Sequence, residues 1–205
     1  PHKSSEARLY IVDLSGVYYA PELTVHRHLK LPALELYDMA KTGEMLLIGA
    51  DKGLLFVNVY GAASDLPIYM GAESFGAPVR GVTVKDGHAF LGLGVSGIQV
   101  MNLQTRERED QPPNVSFAQK LAISNDILYV AQGGYDTPFS MISTFDISDP
   151  LNIVLLDNLN TGGDGATDVS VQGDLALVSV NAASDENSGG FLRVVDAADP
   201  SSMQI

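Results

Sequence analysis

Ile142-Ser-Thr-Phe-Asp146 is one of five copies of a short pattern that decides the fold of this chain. Each copy begins with Leu or Ile and closes on Asp or Asn. The closing residues are 13, 58, 102, 146 and 196, so the copies recur at intervals of 45, 44, 44 and 50 residues. A period of this length is typical of repeat units with four strands. The other copies are Leu9-Tyr-Ile-Val-Asp13, Leu54-Leu-Phe-Val-Asn58, Ile98-Gln-Val-Met-Asn102 and Leu192-Arg-Val-Val-Asp196.

The residues around each copy predict four antiparallel strands per repeat. An inner strand such as Gly81-Val-Thr-Val84 is followed by Lys85-Asp-Gly87, whose Asp and Gly suit a tight hairpin turn. A second strand such as Ala89-Phe-Leu-Gly-Leu93 is apolar and is predicted to be buried. The recurrent pattern forms the third strand. A more polar fourth strand such as Asn152-Ile-Val-Leu-Leu156 follows, as expected at the edge of a sheet.

This organisation predicts an all-β protein, a β-propeller of four-stranded antiparallel blades with little helix. We expect one domain over residues 1–205 that holds about four and a half blades. Closed propellers commonly have more blades than this, so we expect the chain to be part of a larger ring. The predicted boundaries are a half-blade at 8–31 and blades at 33–75, 77–115, 117–160 and 166–205.

Small residues recur near the end of each second strand. They are Gly49, Gly92, Ala131 and Ser179. A larger side chain at these positions would hold neighbouring blades apart, so we predict that these residues permit close packing between blades.

The composition excludes several classes of function. A net charge of −13 and a pI near 4.4 disfavour binding to nucleic acid or to an anionic membrane, and no apolar run is long enough to insert into a bilayer. The absence of Cys excludes disulfides, thiolate nucleophiles and zinc sites built on Cys. The chain begins at Pro1 without a targeting segment, so we expect a fragment or a processed product.

Two segments resemble the signature of LVIVD-repeat propellers, in which an apolar strand ends in Asp and a turn of the Ser-Asp-Pro type follows. They are Phe145-Asp-Ile-Ser-Asp-Pro150 and Val194-Val-Asp-Ala-Ala-Asp-Pro200. The first Asp of each segment can accept backbone N–H groups in an Asx-turn. Asn58 and Asn102 take the place of this Asp in two repeats that also lack the downstream Asp-Pro. The resemblance implies a bacterial secreted or surface protein, located outside the cell, on its surface or in the periplasm.

Two short motifs have both a structural and a functional interpretation. Gly92-Leu-Gly-Val-Ser-Gly97 matches the dinucleotide-binding pattern G-x-G-x-x-G, but a strand rather than a helix is predicted after it, so we predict a hairpin turn. His26 and His28 lie two residues apart in a predicted strand and could face a metal together. No third ligand is identifiable, so a solvated or inter-blade face is the simpler interpretation.

Two Gly-rich loops carry the oxygen ligands that calcium prefers. The candidate ligands are Asp164 and Asp168 in Asn160–Asp168, and Asp185 and Glu186 in Ser184–Gly190. The same residue types are common in exposed loops, which is the alternative interpretation. The second loop also makes the last period longer and is a candidate interaction loop.

The chain shows no recognisable catalytic motif, so we expect a non-catalytic binding or scaffolding module with a protein or a surface glycan as its partner. One alternative is a metal-dependent hydrolase or lyase, in which Asp164, Asp168 and Asp185 would converge at the mouth of the channel. Another alternative is a structural spacer in a larger multidomain protein. The sequence leaves these alternatives open.

Overall fold

The structure is a computed structural model that describes residues 7–13, 24–59, 67–109, 115–134, 139–181 and 189–205, with the side chains of 11–13 and 24–27 left out. All regular secondary structure in these ranges is β-strand, as the sequence predicts. The described residues accordingly include no helix that could cross a bilayer. The chain forms two compact units, Pro1–Pro78 and Val79–Ile205.

The first unit contains a two-stranded and a four-stranded antiparallel sheet. A buried apolar cluster, to which Leu9, Leu31, Ile48 and Val57 belong, joins the two sheets. The smaller sheet pairs β1 (Ala7–Asp13) with β2 (Thr24–Leu31). The larger sheet has the order β3 (Leu36–Thr42), β4 (Met45–Ala50), β5 (Gly53–Asn58) and β6 (Ile68–Glu73).

The second unit contains three antiparallel sheets. The first sheet has β7 (Gly81–Lys85), β8 (His88–Gly92) and β9 (Ile98–Asn102). The second has β10 (Ala118–Ser124), β11 (Ile127–Gln132), β12 (Met141–Asp146) and β13 (Val154–Asn160). The third has β14 (Gly165–Gln172), β15 (Leu175–Asn181) and β16 (Phe191–Asp196). Their inner strands lie side by side, since β10 packs against both β7 and β14.

Among the described residues, a complete fourth strand is present in the sheets β3–β6 and β10–β13. At the place of the fourth strand, the described residues form one bridge between Met101 and Arg108 in the sheet β7–β9, and one between Asp196 and Gln204 in the sheet β14–β16. The strand order nevertheless follows the chain order in every sheet, which is the arrangement that the repeat predicts.

The recurrent pattern ends five strands at the residues that the sequence indicates, because β1, β5, β9, β12 and β16 close on 13, 58, 102, 146 and 196. Three of these closing side chains, those of Asn102, Asp146 and Asp196, accept backbone N–H groups of the turn that follows. Asp146 Oδ1 lies 2.8 Å from the nitrogen of Ser148, and Asp196 Oδ1 lies 3.0 Å from that of Ala198. Asn102 Oδ1 accepts from both Gln104 and Thr105. An amide oxygen therefore replaces the carboxylate in this role.

Glycines allow the sheets of the second unit to approach one another closely. A Cβ on Gly81 would lie 2.5 Å from the backbone oxygen of Gln119 in β10. A Cβ on Gly92 would lie 3.1 Å from the backbone oxygen of Ala118. The predicted packing role of Gly92 is therefore confirmed. Ala131 is fully buried in the cluster between the second and third sheets, which confirms the same role for it.

Candidate binding surfaces

The proposed calcium ligands lie in different structural settings. Asp164 lies in the turn before β14, where its N–H donates to the oxygen of Asn181 at 3.0 Å. Asp168 lies within β14 and is exposed, and its Oδ1 accepts the N–H of Val169 at 2.9 Å. Asp185 and Glu186 lie outside the described residues. Among the residues that the structure describes, no three His, Cys, Asp or Glu side chains are placed to hold a metal ion. The calcium site stays a prediction.

The Gly92–Gly97 motif forms a hairpin turn, as predicted. The N–H groups of Ser96 and Gly97 donate back to Leu93 and Gly94, which closes the turn. Gly94 and Ala118 exchange two backbone hydrogen bonds, of 2.9 and 3.0 Å, which tie the turn to the next sheet. Since these N–H groups already have acceptors and a strand follows, the turn offers no cradle for a pyrophosphate.

The histidines of β2, His26 and His28, lie next to an irregularity in that strand. The rings of His28 and Tyr10 lie 5.9 Å apart across β1 and β2. Ile11 pairs with Arg27 and Val12 pairs with Val25, so the residue between them, His26, is the extra residue of a β-bulge. The regular alternation that placed both histidines on one face is therefore interrupted, and the side chain of His26 is outside the described part.

The outer strands β6 and β13 expose apolar side chains at equivalent positions, although the sequence predicts a more polar strand there. Ile68 pairs with Asn58, and Val154 pairs with Asp146. Each therefore lies opposite the residue that closes the recurrent strand of its sheet. Both side chains are exposed. Each unit therefore has its own exposed apolar patch, which we call an outer-strand surface. The first unit's surface contains Ile68, Tyr69 and Met70, and the second unit's surface contains Leu151, Val154 and Leu155. Comparing the repeats position by position could have revealed them.

Both outer strands carry a bulge at the same place. Phe56 pairs with Gly71 and Val57 pairs with Tyr69, which makes Met70 the extra residue. Leu156 is the extra residue in β13 for the same reason. Bulges twist the free edge of a sheet and make the addition of a further strand unfavourable. The side chains of these strands are therefore better placed to contact a partner than their backbone.

Charged groups at the strand ends are held in defined positions. Hydrogen bonds from the backbone and side chain of Ser148 lower the pKa of Asp146 below its usual value, and those from Ser201 do the same for Asp199. Hydrogen bonds to Asp126 and Asp86 raise the pKa of Lys85. The Lys85–Asp126 pair, with an N–O distance of 3.0 Å, links the turns of adjacent sheets. These charges organise turns and do not converge on one site.

Comparison with known proteins shows the fold. No family model and no curated protein matches the chain. A chain of Kuenenia stuttgartiensis hydrazine synthase superposes with a TM-score of 0.68 at 15% identity, over 84% of this chain and 49% of that one. A chain of the mitotic checkpoint complex gives 0.65 at 16% identity, over 83% and 51%. A chain of the nidogen/laminin complex gives 0.67 at 10% identity, over 98% and 74%.

These solved structures are similar to the chain in architecture only, because their identities are far below the level at which function is shared. The chain spans about half the length of the hydrazine synthase and checkpoint chains that it matches. Their folds are of the propeller type, and so is the succession of antiparallel sheets described above. The chain is therefore an all-β protein with the β-propeller fold, made of four-stranded antiparallel blades.

Proposed function

We propose that the chain is a non-catalytic binding or scaffolding module whose partner is a protein. The observation that carries the proposal is the pair of outer-strand surfaces, one in each unit, where exposed apolar side chains recur at equivalent positions. Neighbouring apolar side chains exposed on a folded protein are typical of interaction sites. Similar folds also occur in chains of the mitotic checkpoint and nidogen/laminin complexes, which supports a protein partner.

The chemistry of these surfaces favours a protein over a surface glycan. Ile68, Met70, Val154 and Leu155 are aliphatic or thioether side chains and offer few hydrogen-bonding groups to sugar hydroxyls. They are suited to an apolar protein surface, from which they would exclude water. Because both outer strands are bulged, we expect contacts through side chains and no continuous added strand.

We further propose that the chain is of the LVIVD-repeat type and belongs to a bacterial secreted or surface protein. This part of the proposal is supported by the two Asp-Pro segments, in which Asp146 and Asp196 bind the turns as the signature requires. Fractionation of the source cells with an antibody to the chain tests it. We expect the protein in the periplasmic, surface or extracellular fraction, and recovery in the cytoplasm would contradict the assignment.

Site-specific photo-crosslinking in the source cells tests the protein-binding function. A photoreactive amino acid replaces Tyr69 in one variant and Leu155 in another, and Leu34 serves as the control because it is exposed but lies outside the outer strands. We expect each outer-strand position to give a cross-linked protein and the control to give none. If neither position gives a protein cross-link beyond the control, the proposal is wrong and a structural spacer is favoured.

The identified partner allows a quantitative second test. Ile68→Asp combined with Met70→Asp places two charges in the outer-strand surface of the first unit, so we expect the dissociation constant of a partner cross-linked at Tyr69 to rise by about tenfold or more. Leu34→Asp is the matched control and should leave the affinity unchanged. Isothermal titration calorimetry measures both effects.

A further inference from the structure

The third sheet of the second unit has one covered face and one open face. On the covered face, Val169, Val178 and Val195 belong to the buried cluster shared with the sheet β10–β13. The open face carries four large apolar side chains, which we call the terminal face. They are Leu175, Leu177, Leu192 and Val194, with exposed fractions of 49%, 40%, 60% and 51%.

The positions of the terminal face are buried in the preceding sheets. In the third sheet, Leu177 of β15 pairs with Val194 of β16. The equivalent pair is Tyr129 with Thr144 in the second sheet and Phe90 with Val100 in the first sheet. These four equivalents are at most 3% exposed. Leu192 opposite Ser179 likewise corresponds to Ile142 opposite Ala131, both of which are fully buried. The terminal face therefore has the pattern of a covered blade face.

The equivalent positions show what kind of structure covers such a face. Tyr129, Ala131 and Ile142 are covered by the next sheet, which contributes Val169, Val178 and Val195. Phe90, Ile98 and Val100 are covered in the same way by a cluster that includes Leu121, Val130 and Phe145. In both interfaces the covering surface is a flat sheet face of predominantly aliphatic side chains.

We propose that the terminal face is a docking surface for one further propeller blade, an antiparallel sheet that presents aliphatic side chains. The inference is independent of the proposed protein partners of the outer-strand surfaces, because it concerns the face of β14–β16 and not the edge of a sheet. Docking would continue an interface that already occurs twice in this unit. A second copy of the chain is a poor occupant, since pairing two terminal faces would bring together the exposed carboxylates of Asp168 and Asp196.

The repeat allows the proposed blade to be added in register. Gln204 forms a bridge with Asp196, just as Val154 pairs with Asp146 in the preceding sheet. Gln204 is therefore equivalent to Val154, and Ile205 is equivalent to Leu155. A second copy of residues 156–205 placed directly after Ile205 therefore continues the outer strand and then supplies one more blade. This extended chain is the probe, and the 205-residue chain is its reference.

Cysteine labelling reports whether the terminal face becomes covered. The chain contains no Cys, so Leu177→Cys introduces a single reactive thiol in the terminal face. Val95→Cys is the matched control, because Val95 is exposed in the same unit but lies in the Gly92–Gly97 turn, outside this face and outside the outer-strand surfaces. In the extended chain, the substitution is made in the first copy only. We expect maleimide to label position 177 at least about tenfold more slowly than in the reference, and position 95 at the same rate.

Two further measurements complete the test. We expect the extended chain to unfold at a Tm higher by about 4 °C or more, and Leu177→Asp with Val194→Asp in the first copy to remove this gain. Equal labelling of position 177 in the extended and reference chains would overturn the proposal. So would self-association of the 205-residue chain that depends on Leu177, measured by light scattering, because it would assign the terminal face to a second copy.

Discussion

At the residue scale, one position sets both the end of a strand and the turn after it. Asp146, Asp196 and Asn102 each close a strand and bind the N–H groups of the next residues. The position needs an acceptor oxygen at the right distance, which both Asp and Asn supply. This explains why the repeat tolerates either residue and why a pattern of sequence alone was enough to locate the strand ends.

The two lowered pKa values predict a loss of stability in acid. The pKa values of Asp146 and Asp199 are lower in the folded protein than the usual 3.8. Their contribution to the free energy of unfolding is therefore complete above pH 3.8 and is lost as the pH falls through their pKa values in the folded protein. Asp146→Asn with Asp199→Asn keeps an acceptor but removes the titration. We expect urea unfolding between about pH 5 and pH 2 to show a smaller loss of stability in this variant than in the parent. Equal losses would contradict this assignment.

Asn102 offers a complementary test of the strand-end position. Asn102→Ala leaves the N–H groups of Gln104 and Thr105 without this acceptor, and we expect a loss of about 1 kcal/mol in the free energy of unfolding. Asn102→Asp should retain most of the stability near neutral pH, because Asp fills the same role at 146. Urea denaturation of both variants provides the measurement, and equal effects of Ala and Asp would rule out the proposed acceptor role.

At the element scale, the sequence predicted the order of the strands better than the details of their edges. The apolar second strands and the turn residues between them were visible in the sequence because each depends on local chemistry. The bulges at Met70 and Leu156 depend on pairing with another strand, which no local pattern specifies. The exposed apolar side chains of the outer strands recur at equivalent positions, so they could have been predicted only by comparing the repeats with one another.

The close approach of two inner strands gives a prediction at this scale. In Gly81→Ala the added Cβ would lie 2.5 Å from the backbone oxygen of Gln119, so β7 and β10 must move apart. We expect a destabilisation of about 1–3 kcal/mol. Gly189→Ala is the matched control, because a Cβ there meets no atom within 4 Å. Thermal and urea unfolding of the two variants would show no difference if the close approach were unimportant.

At the scale of the whole molecule, each sheet of the second unit packs on the next sheet in the chain. The sheet β7–β9 packs on β10–β13, which in turn packs on β14–β16. Repeat proteins of this kind gain stability from nearest-neighbour interfaces. The period of the sequence predicted this arrangement. The period gave no information on calcium binding by the two Gly-rich loops, because their oxygen-rich composition also suits an ordinary loop. Asp185 and Glu186 lie outside the described residues, so the calcium site stays a prediction.

Damage to one interface should therefore spread unevenly through the unit. Phe145 is fully buried between the first and second sheets, and we expect Phe145→Ala to cost about 3–5 kcal/mol. Hydrogen exchange should accelerate most in β7–β12 and least in β14–β16, which have their own cluster. Uniform acceleration across all three sheets would show that the unit opens as a whole.

The match between strand order and chain order also has a consequence for biosynthesis. Since each sheet is built from consecutive strands, it can form as soon as its own residues have left the ribosome. Within the second unit, the face that one sheet leaves open is then covered by the sheet that emerges after it. Folding in this order shortens the time for which each apolar sheet face is exposed, which limits the surface that a nascent chain offers to aggregation or to chaperones.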